Sequence, residues 1–214
     1  MYLSRLILNP RSRQVRREIS EPYQMHRTIM LAFPGADDGG PGRVLFRLDS
    51  PPPGYTPGTG LTLLVQSEDE PNWSWLVDQQ GYLADTGTEN PAVKPLRPSI
   101  AVGQRLAFRL RANPTVKRDG KRCGLYREDE QRAWLERKGE QGGFAVVATD
   151  VRDEGMAYSA IHRQDGNSHR ARWLAVRFDG LLQVTDPHRF LDTLRQGVGS
   201  GKGLGFGLFS LARA

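Results

Sequence analysis

Residues 2–34 read YLSRLILNPRSRQVRREISEPYQMHRTIMLAFP, and this stretch sets the fold class. Tyr2–Asn9 (YLSRLILN) alternates apolar and polar residues and then runs apolar, the pattern of a strand with one face on a core. Pro10 stops it. A basic stretch with Arg11, Arg13, Arg16 and Arg17 follows as a loop or the approach to a helix. Ser20 reads as an N-cap and Pro22 as a first-turn proline, which makes Tyr23–Phe33 a helix ending at Pro34. Outward from there, residues 35–42 (GADDGGPG) are a loop. Val44–Leu48 and Leu61–Gln66 are strands, joined by the connector SPPPGYTPGTG. A short helix is expected around Trp73–Gln79. The order across residues 1–95 is β-α-β-β-(α)-β, that of a ferredoxin-like or RRM-like domain.

Residues 104–214 repeat that order. Gln104–Arg111 (QRLAFRLR) is a strand stopped by Asn113-Pro114. Glu128–Lys138 is a helix with Ala133, Trp134 and Leu135 on its apolar face, ended by Gly142-Gly143. Phe144–Thr149, Tyr158–Arg163, Trp173–Asp179 and Leu181–Thr185 are expected strands, with Asp165–Ser168 as a hairpin tip. Asp186 caps a helix with Pro187 at its first position, running to about Gln196. A glycine-rich loop and a last strand close the chain. The fold class is therefore α+β, two tandem ferredoxin-like (RRM-like) domains.

At 214 residues and 38% hydrophobic content, a packed core is within reach. One cysteine, Cys123, excludes an intrachain disulfide framework and a cysteine-based zinc site. No apolar run approaches a membrane span, and MYLSRLILNPRSRQ lacks the apolar stretch of a signal peptide. A soluble, cytoplasmic protein with no membrane partner is expected. The charge is uneven: residues 1–100 hold 10 basic and 11 acidic side chains, residues 101–214 hold 20 and 13. The second half carries the surplus, as a polyanion-binding surface would, or as a generically soluble basic domain would.

Residues 197–207 place glycine at 197, 199, 201, 203, 205 and 207. Successive amides in such a loop can cradle an anion around Lys202. Gly203 after Lys202 excludes a Walker A loop, and no βαβ unit follows to make a dinucleotide site. Tyr23 and His26 stand three residues apart, on one side of their helix, with Arg27 next. An imidazole and a phenol near a helix N-terminus are parts for metal-free RNA cleavage. There the ribose 2′-OH attacks phosphorus, and the 5′-oxygen leaves with a proton. The alternative is an ordinary surface histidine beside a half-buried tyrosine.

Four segments carry a family resemblance: MYLSRLILNP at the start, YQMHRT (Tyr23–Thr28), FRLRANP (Phe108–Pro114) with GKR (Gly120–Arg122) and AWLERK (Ala133–Lys138), and GVGSGKGLGFGLFSLA (Gly197–Ala212). The chain resembles the CasE family, the CRISPR repeat-processing endoribonucleases of type I-E Cascade. That resemblance implies two tandem ferredoxin-like domains. It implies cleavage at the base of a CRISPR repeat hairpin, leaving a 2′,3′-cyclic phosphate, without metal or other cofactor. The mature guide RNA would be retained beside other Cascade subunits. The family's catalytic histidine and tyrosine map onto His26 and Tyr23, and its glycine loop onto Gly197–Gly207. For its basic RNA-binding hairpin, His162, Arg163, His169, Arg170 and Arg172 supply the charge.

A folded RNA hairpin is read largely through shape and backbone. The expected RNA-contacting set is Arg27, Arg109, Arg111, Lys117, Arg118, Lys121, Arg122, Arg163, Arg170, Arg172, Gly199, Gly201, Lys202 and Gly203. Arg109 and Arg111 alternate on one strand face, and Lys117, Arg118, Lys121 and Arg122 follow in a loop. Trp173 or Phe206 could stack on a base. The competing classes are an RNA-binding subunit without chemistry and a small-molecule enzyme using the glycine loop for a nucleotide phosphate.

Overall fold

A computed structural model describes residues 1–33, 40–49, 60–162 and 168–214. They form two compact units. One holds Met1–Arg97 with Tyr158–Arg170 and Gly203–Gly205, the other Pro98–Ala157, Ala171–Lys202 and Phe206–Ala214.

In the first unit the elements are β1 (Tyr2–Leu8), α1 (Arg13–Ser20), α2 (Pro22–Met30), β2 (Leu45–Asp49), β3 (Leu61–Ser67), α3 (Ser74–Val77) and β4 (Ala92–Pro95). The sheet order is β2-β3-β1-β4, antiparallel throughout. Register places Leu6 opposite Leu63 and Leu8 opposite Leu61. These leucines alternate into the core, where Val15, Met25, Ile29 and Phe46 pack with them.

The basic stretch after Pro10, read as a loop or the approach to a helix, is itself helical from Arg13. Ser12 caps it by accepting from the Val15 amide at 3.4 Å, and Val15 and Glu18 form its buried side. Arginine is a good helix former and here projects to solvent, so one apolar anchor suffices. Ser20 consequently ends α1, its hydroxyl donating to the Arg17 carbonyl at 2.8 Å. Glu21 takes the N-cap position of α2, with Pro22 at its start as expected.

The second unit is built on β5 (Arg105–Ala112), β6 (Thr115–Arg118), β7 (Lys121–Gly124), α4 (Glu128–Gly142), β8 (Phe144–His162), β9 (Ser168–Val184), α5 (Pro187–Gln196) and β10 (Phe209–Arg213). Its sheet order, β10-β5-β9-β8, repeats that of the first unit, with the β6-β7 hairpin inserted after the first strand. The chain is thus α+β with two tandem ferredoxin-like folds. Trp134 stacks on Phe178 at 6.0 Å, and Phe144 and Phe190 each meet Phe209 edge to face at 5.4 and 6.3 Å. Asp186 caps α5, accepting from the His188 and Arg189 amides at 3.0 and 3.1 Å.

The four short strands expected between Phe144 and Thr185 are two long ones of 19 and 17 residues. Gly180 does not break β9, because a Cβ there would lie 2.1 Å from the Ala148 carbonyl oxygen. The glycine permits a close backbone approach. Charged residues of the edge strand β8 face outward and pair, as Asp150 does with Arg152 at 2.7 Å.

Candidate active site and cationic clefts

α2 is oriented by Met25 and Ile29, which bury one side of it in the first core. The remaining turns present Tyr23, His26 and Arg27. Tyr23 is 41% exposed, whereas His26 is half-buried, which an ordinary surface histidine would not be. Their ring centroids are 6.3 Å apart. The imidazole also lies nearly parallel to buried Phe46 of β2, with centroids 6.4 Å apart and planes 16° apart. Its Nδ1 is buried and has no hydrogen-bond partner among the described residues. Burial lowers the pKa of His26, so the neutral imidazole is favoured.

Gly203 lies against this ring. A Cβ built there would be 3.8 Å from Cδ2, 3.8 Å from Nε2 and 3.9 Å from Cε1 of His26. A point equidistant from three atoms of a planar ring lies on the ring's normal, so that position is over the imidazole face. The Gly203 backbone is outside the left-handed region, unlike that of Gly201 at φ 76°. Any residue could adopt it; what glycine provides is space on the ring.

The second unit gathers cations around its hairpin. Lys117, Arg118, Lys121 and Arg122 are not in a loop but on β6 and β7, turned by Asp119 and Gly120 with φ 47° and 75°. Such a two-residue turn suits a hairpin, and the Asp-Gly dipeptide is its sequence signal. Lys117 pairs across from Arg122 and Arg118 from Lys121, so each pair shares a face. Lys117 and Arg122 line a cleft of about 450 Å³ with Lys138, Gly199, Ser200 and Lys202. The loop is anchored there by Asn113, whose amide donates to the Ser200 hydroxyl at 3.1 Å. Arg122 also borders a hollow of about 500 Å³ with Arg172, Tyr126 and half-buried Trp173.

Arg109 and Arg111 share a face of β5 but are committed to carboxylates. Arg109 pairs with Asp179 at 2.5 Å and Arg111 with Glu154 at 2.7 Å, while Arg177 bridges both acids. The Arg111 guanidinium also lies 4.5 Å from the centroid of fully buried Phe206. Gly201 packs on that same ring and lines neither cleft. Arg118 reaches Glu130 at 3.5 Å, and Lys121 is exposed. Arg163 lies outside the described residues, as do the side chains of His162, His169 and Arg170. The sequence reading missed Phe46, whose place under the imidazole carries no local signal.

Among the described residues no helix is long and apolar enough to cross a membrane. A family model described as CRISPR associated protein matches residues 1–213. CRISPR-associated endoribonuclease Cse3 of Thermus thermophilus is 41% identical over 224 residues, covering 99% of this chain and all of that protein. CRISPR system Cascade subunit CasE of Escherichia coli K12 is 30% identical over 225 residues, covering 99% of both. The structure of Thermus thermophilus Cse3 bound to an RNA representing a pre-cleavage complex matches with a TM-score of 0.79 at 39% identity, over 99% of this chain and 98% of that one. With the family model matching residues 1–213 and both relatives covered almost end to end, this chain belongs to the CRISPR-associated protein family that includes Cse3 and CasE.

Proposed function

We propose that this protein is a metal-independent endoribonuclease that cuts CRISPR precursor RNA at the base of the repeat hairpin. It leaves a 2′,3′-cyclic phosphate and keeps the mature guide RNA as a Cascade subunit in the cytoplasm. The observation that carries this reading is the half-buried imidazole of His26, with Gly203 against one face, beside the exposed phenol of Tyr23. The relative Cse3 is named an endoribonuclease.

In the reaction the 2′-oxygen bonds to phosphorus and the phosphorus–O5′ bond breaks. Tyr23 orients the 2′-OH and relays its proton to solvent. His26 delivers a proton to the departing O5′. Its burial keeps it neutral in the free protein, and the incoming phosphodiester draws a proton onto it.

Residues 1–95 form the domain that carries this chemistry and residues 104–214 the domain that grips the hairpin. Lys117 opposite Arg122, and Arg118 opposite Lys121, place like charges across the β6-β7 ladder. That arrangement destabilises a bare hairpin and is relieved by a polyanion. Arg172, Lys202 and the amides of Gly199, Gly201 and Gly203 extend the grip, with Arg27 beside the cut, and Arg163 and Arg170 add contacts to RNA. Arg109 and Arg111 reach RNA by exchanging a carboxylate for a phosphate.

The test is the protein with its cognate repeat hairpin in EDTA. A single cut is expected, lost on 2′-deoxy substitution at that nucleotide and in His26→Ala. Cleavage that survives the 2′-deoxy change removes the proposed attack. Tight binding with no cut replaces the enzyme with a hairpin-binding subunit.

A further inference from the structure

The surplus of basic residues lies in the second half of the sequence, yet much of it is paired. Among the described residues, nine arginines of residues 101–214 form ion pairs with carboxylates. On α1 and α2, Arg13, Arg17 and Arg27 are exposed and have no ion pair among the described residues. All three line one cleft of about 500 Å³ with Gln24, Thr28 and Leu31.

The carboxylate in its wall, Glu18, is 4% exposed and turned inward. It accepts hydrogen bonds from Gln14 at 2.9 Å, Thr28 at 2.7 Å and Tyr82 at 2.5 Å. Neutral donors thus occupy the acid, and the guanidinium groups remain available. Guanidinium groups favour phosphate because their donors match its oxygens in pairs.

The cleft adjoins the catalytic helix. Gln24, Arg27, Thr28 and Leu31 follow an i, i+3, i+4, i+7 spacing, one face of α2 and its end, and Tyr23 and His26 take the face beside it. Arg27 stands one residue from His26, about 1.5 Å along the helix axis. A strand leaving the cut linkage meets these arginines within a side chain's reach.

We propose that the α1–α2 cleft binds the phosphodiester backbone of single-stranded RNA flanking the hairpin. This rests on the endoribonuclease reading above. An acidic protein segment would meet the same charge, but only the substrate's own strand is already held at the adjoining face.

The experiment uses the full chain and three RNAs that are 2′-deoxy at the cut: the hairpin alone, and the hairpin with about ten extra nucleotides on its 5′ or its 3′ side. Dissociation constants are measured against salt for the unaltered protein, Arg13→Ala/Arg17→Ala and Arg13→Lys/Arg17→Lys. Alanine preserves the helix, and thermal melting checks it. One extension should tighten binding by the unaltered protein and steepen its salt dependence, which names the flank. The alanine pair should lose that gain, its log–log slope falling by about 1.4 at roughly 0.7 per single-strand phosphate. The lysine pair should keep most of the slope. The proposal fails if neither extension tightens binding, or if the alanine pair keeps the full gain. It fails equally if that pair binds every RNA normally but drops out of a reconstituted guide-RNA complex, which assigns the cleft to protein. Failure of the unaltered protein to cut the unmodified hairpin is a separate result and overturns the nuclease reading alone.

Discussion

Seating a non-cleavable, 2′-deoxy hairpin on the protein should change the charge of His26. In the free protein burial lowers its pKa from the ordinary 6.5, and its Nδ1 has no partner among the described residues. The position over its ring is marked by Gly203, where an added atom sits 3.8 Å from Nε2. A phosphate oxygen in contact with the exposed part of the half-buried ring is about 4 Å from the imidazole. One negative charge at that distance favours the imidazolium by about 1 kcal/mol at the dielectric constant of water and about 4 kcal/mol at an effective value near 20. The protonation equilibrium should therefore move by a factor between about 5 and about 10³. The assay is NMR: the His26 Cε1–H signal, assigned with His26→Asn, is followed across pH with and without the RNA. The midpoint should rise on binding. An unchanged or lower midpoint would refute contact of the phosphate with the ring and the role of His26 as proton donor. The same lowered pKa has a consequence for stability. The unfolded chain binds the proton more readily, so stability from this group is full above the ordinary imidazole range and declines as pH falls through it. His26→Asn should remove that decline in denaturant titrations.

Three further outcomes are expected. Gly203→Ala places a methyl group in ordinary contact with the imidazole face, so stability should stay level or rise by about 0.4–1 kcal/mol. Single-turnover cleavage should nonetheless fall, by about 10²-fold for a phosphate displaced by about 1 Å; unchanged cleavage means the substrate does not approach the imidazole on the Gly203 side. Lys117→Ala/Arg122→Ala should reduce the slope of log affinity against log salt by about 1.8, at roughly 0.9 per duplex phosphate. An unaltered slope would take the 450 Å³ cleft out of the RNA path. Tyr82→Phe removes one donor from buried Glu18 and should cost about 1.5–3 kcal/mol in urea unfolding; a neutral change would mean that the Gln14 and Thr28 donors suffice.

The order of elements could be read along the chain because it rests on local rules. Alternation made β1 and β5 strands, Pro187 after Asp186 started α5, and the repeated β-α-β-β-α-β order named the fold. Local rules also failed in recognisable places. The arginine-rich α1 has a single buried apolar residue, Val15, so hydrophobic periodicity could not reveal it. Gly180 looks like an interruption until the Ala148 backbone is seen against it. The Asp119-Gly120 turn was legible, and the basic loop should have been a hairpin from its dipeptide alone.

Charge is where sequence and structure part most. Composition counts arginines, but electrostatics depends on what each guanidinium touches. Asp179 and Glu154 lie far along the chain from Arg109 and Arg111 and are brought to them by strand pairing and the long β8. Sequence therefore assigned the Tyr23–His26 pair to one side of a helix, since three residues span nearly one turn. Folding alone decided that Phe46 lies along the imidazole, that Gly203 lies against its face and that Glu18 is held by Tyr82. Phe46 and Gly203 are remote in sequence from His26, and Tyr82 from Glu18, so no local spacing encodes those contacts.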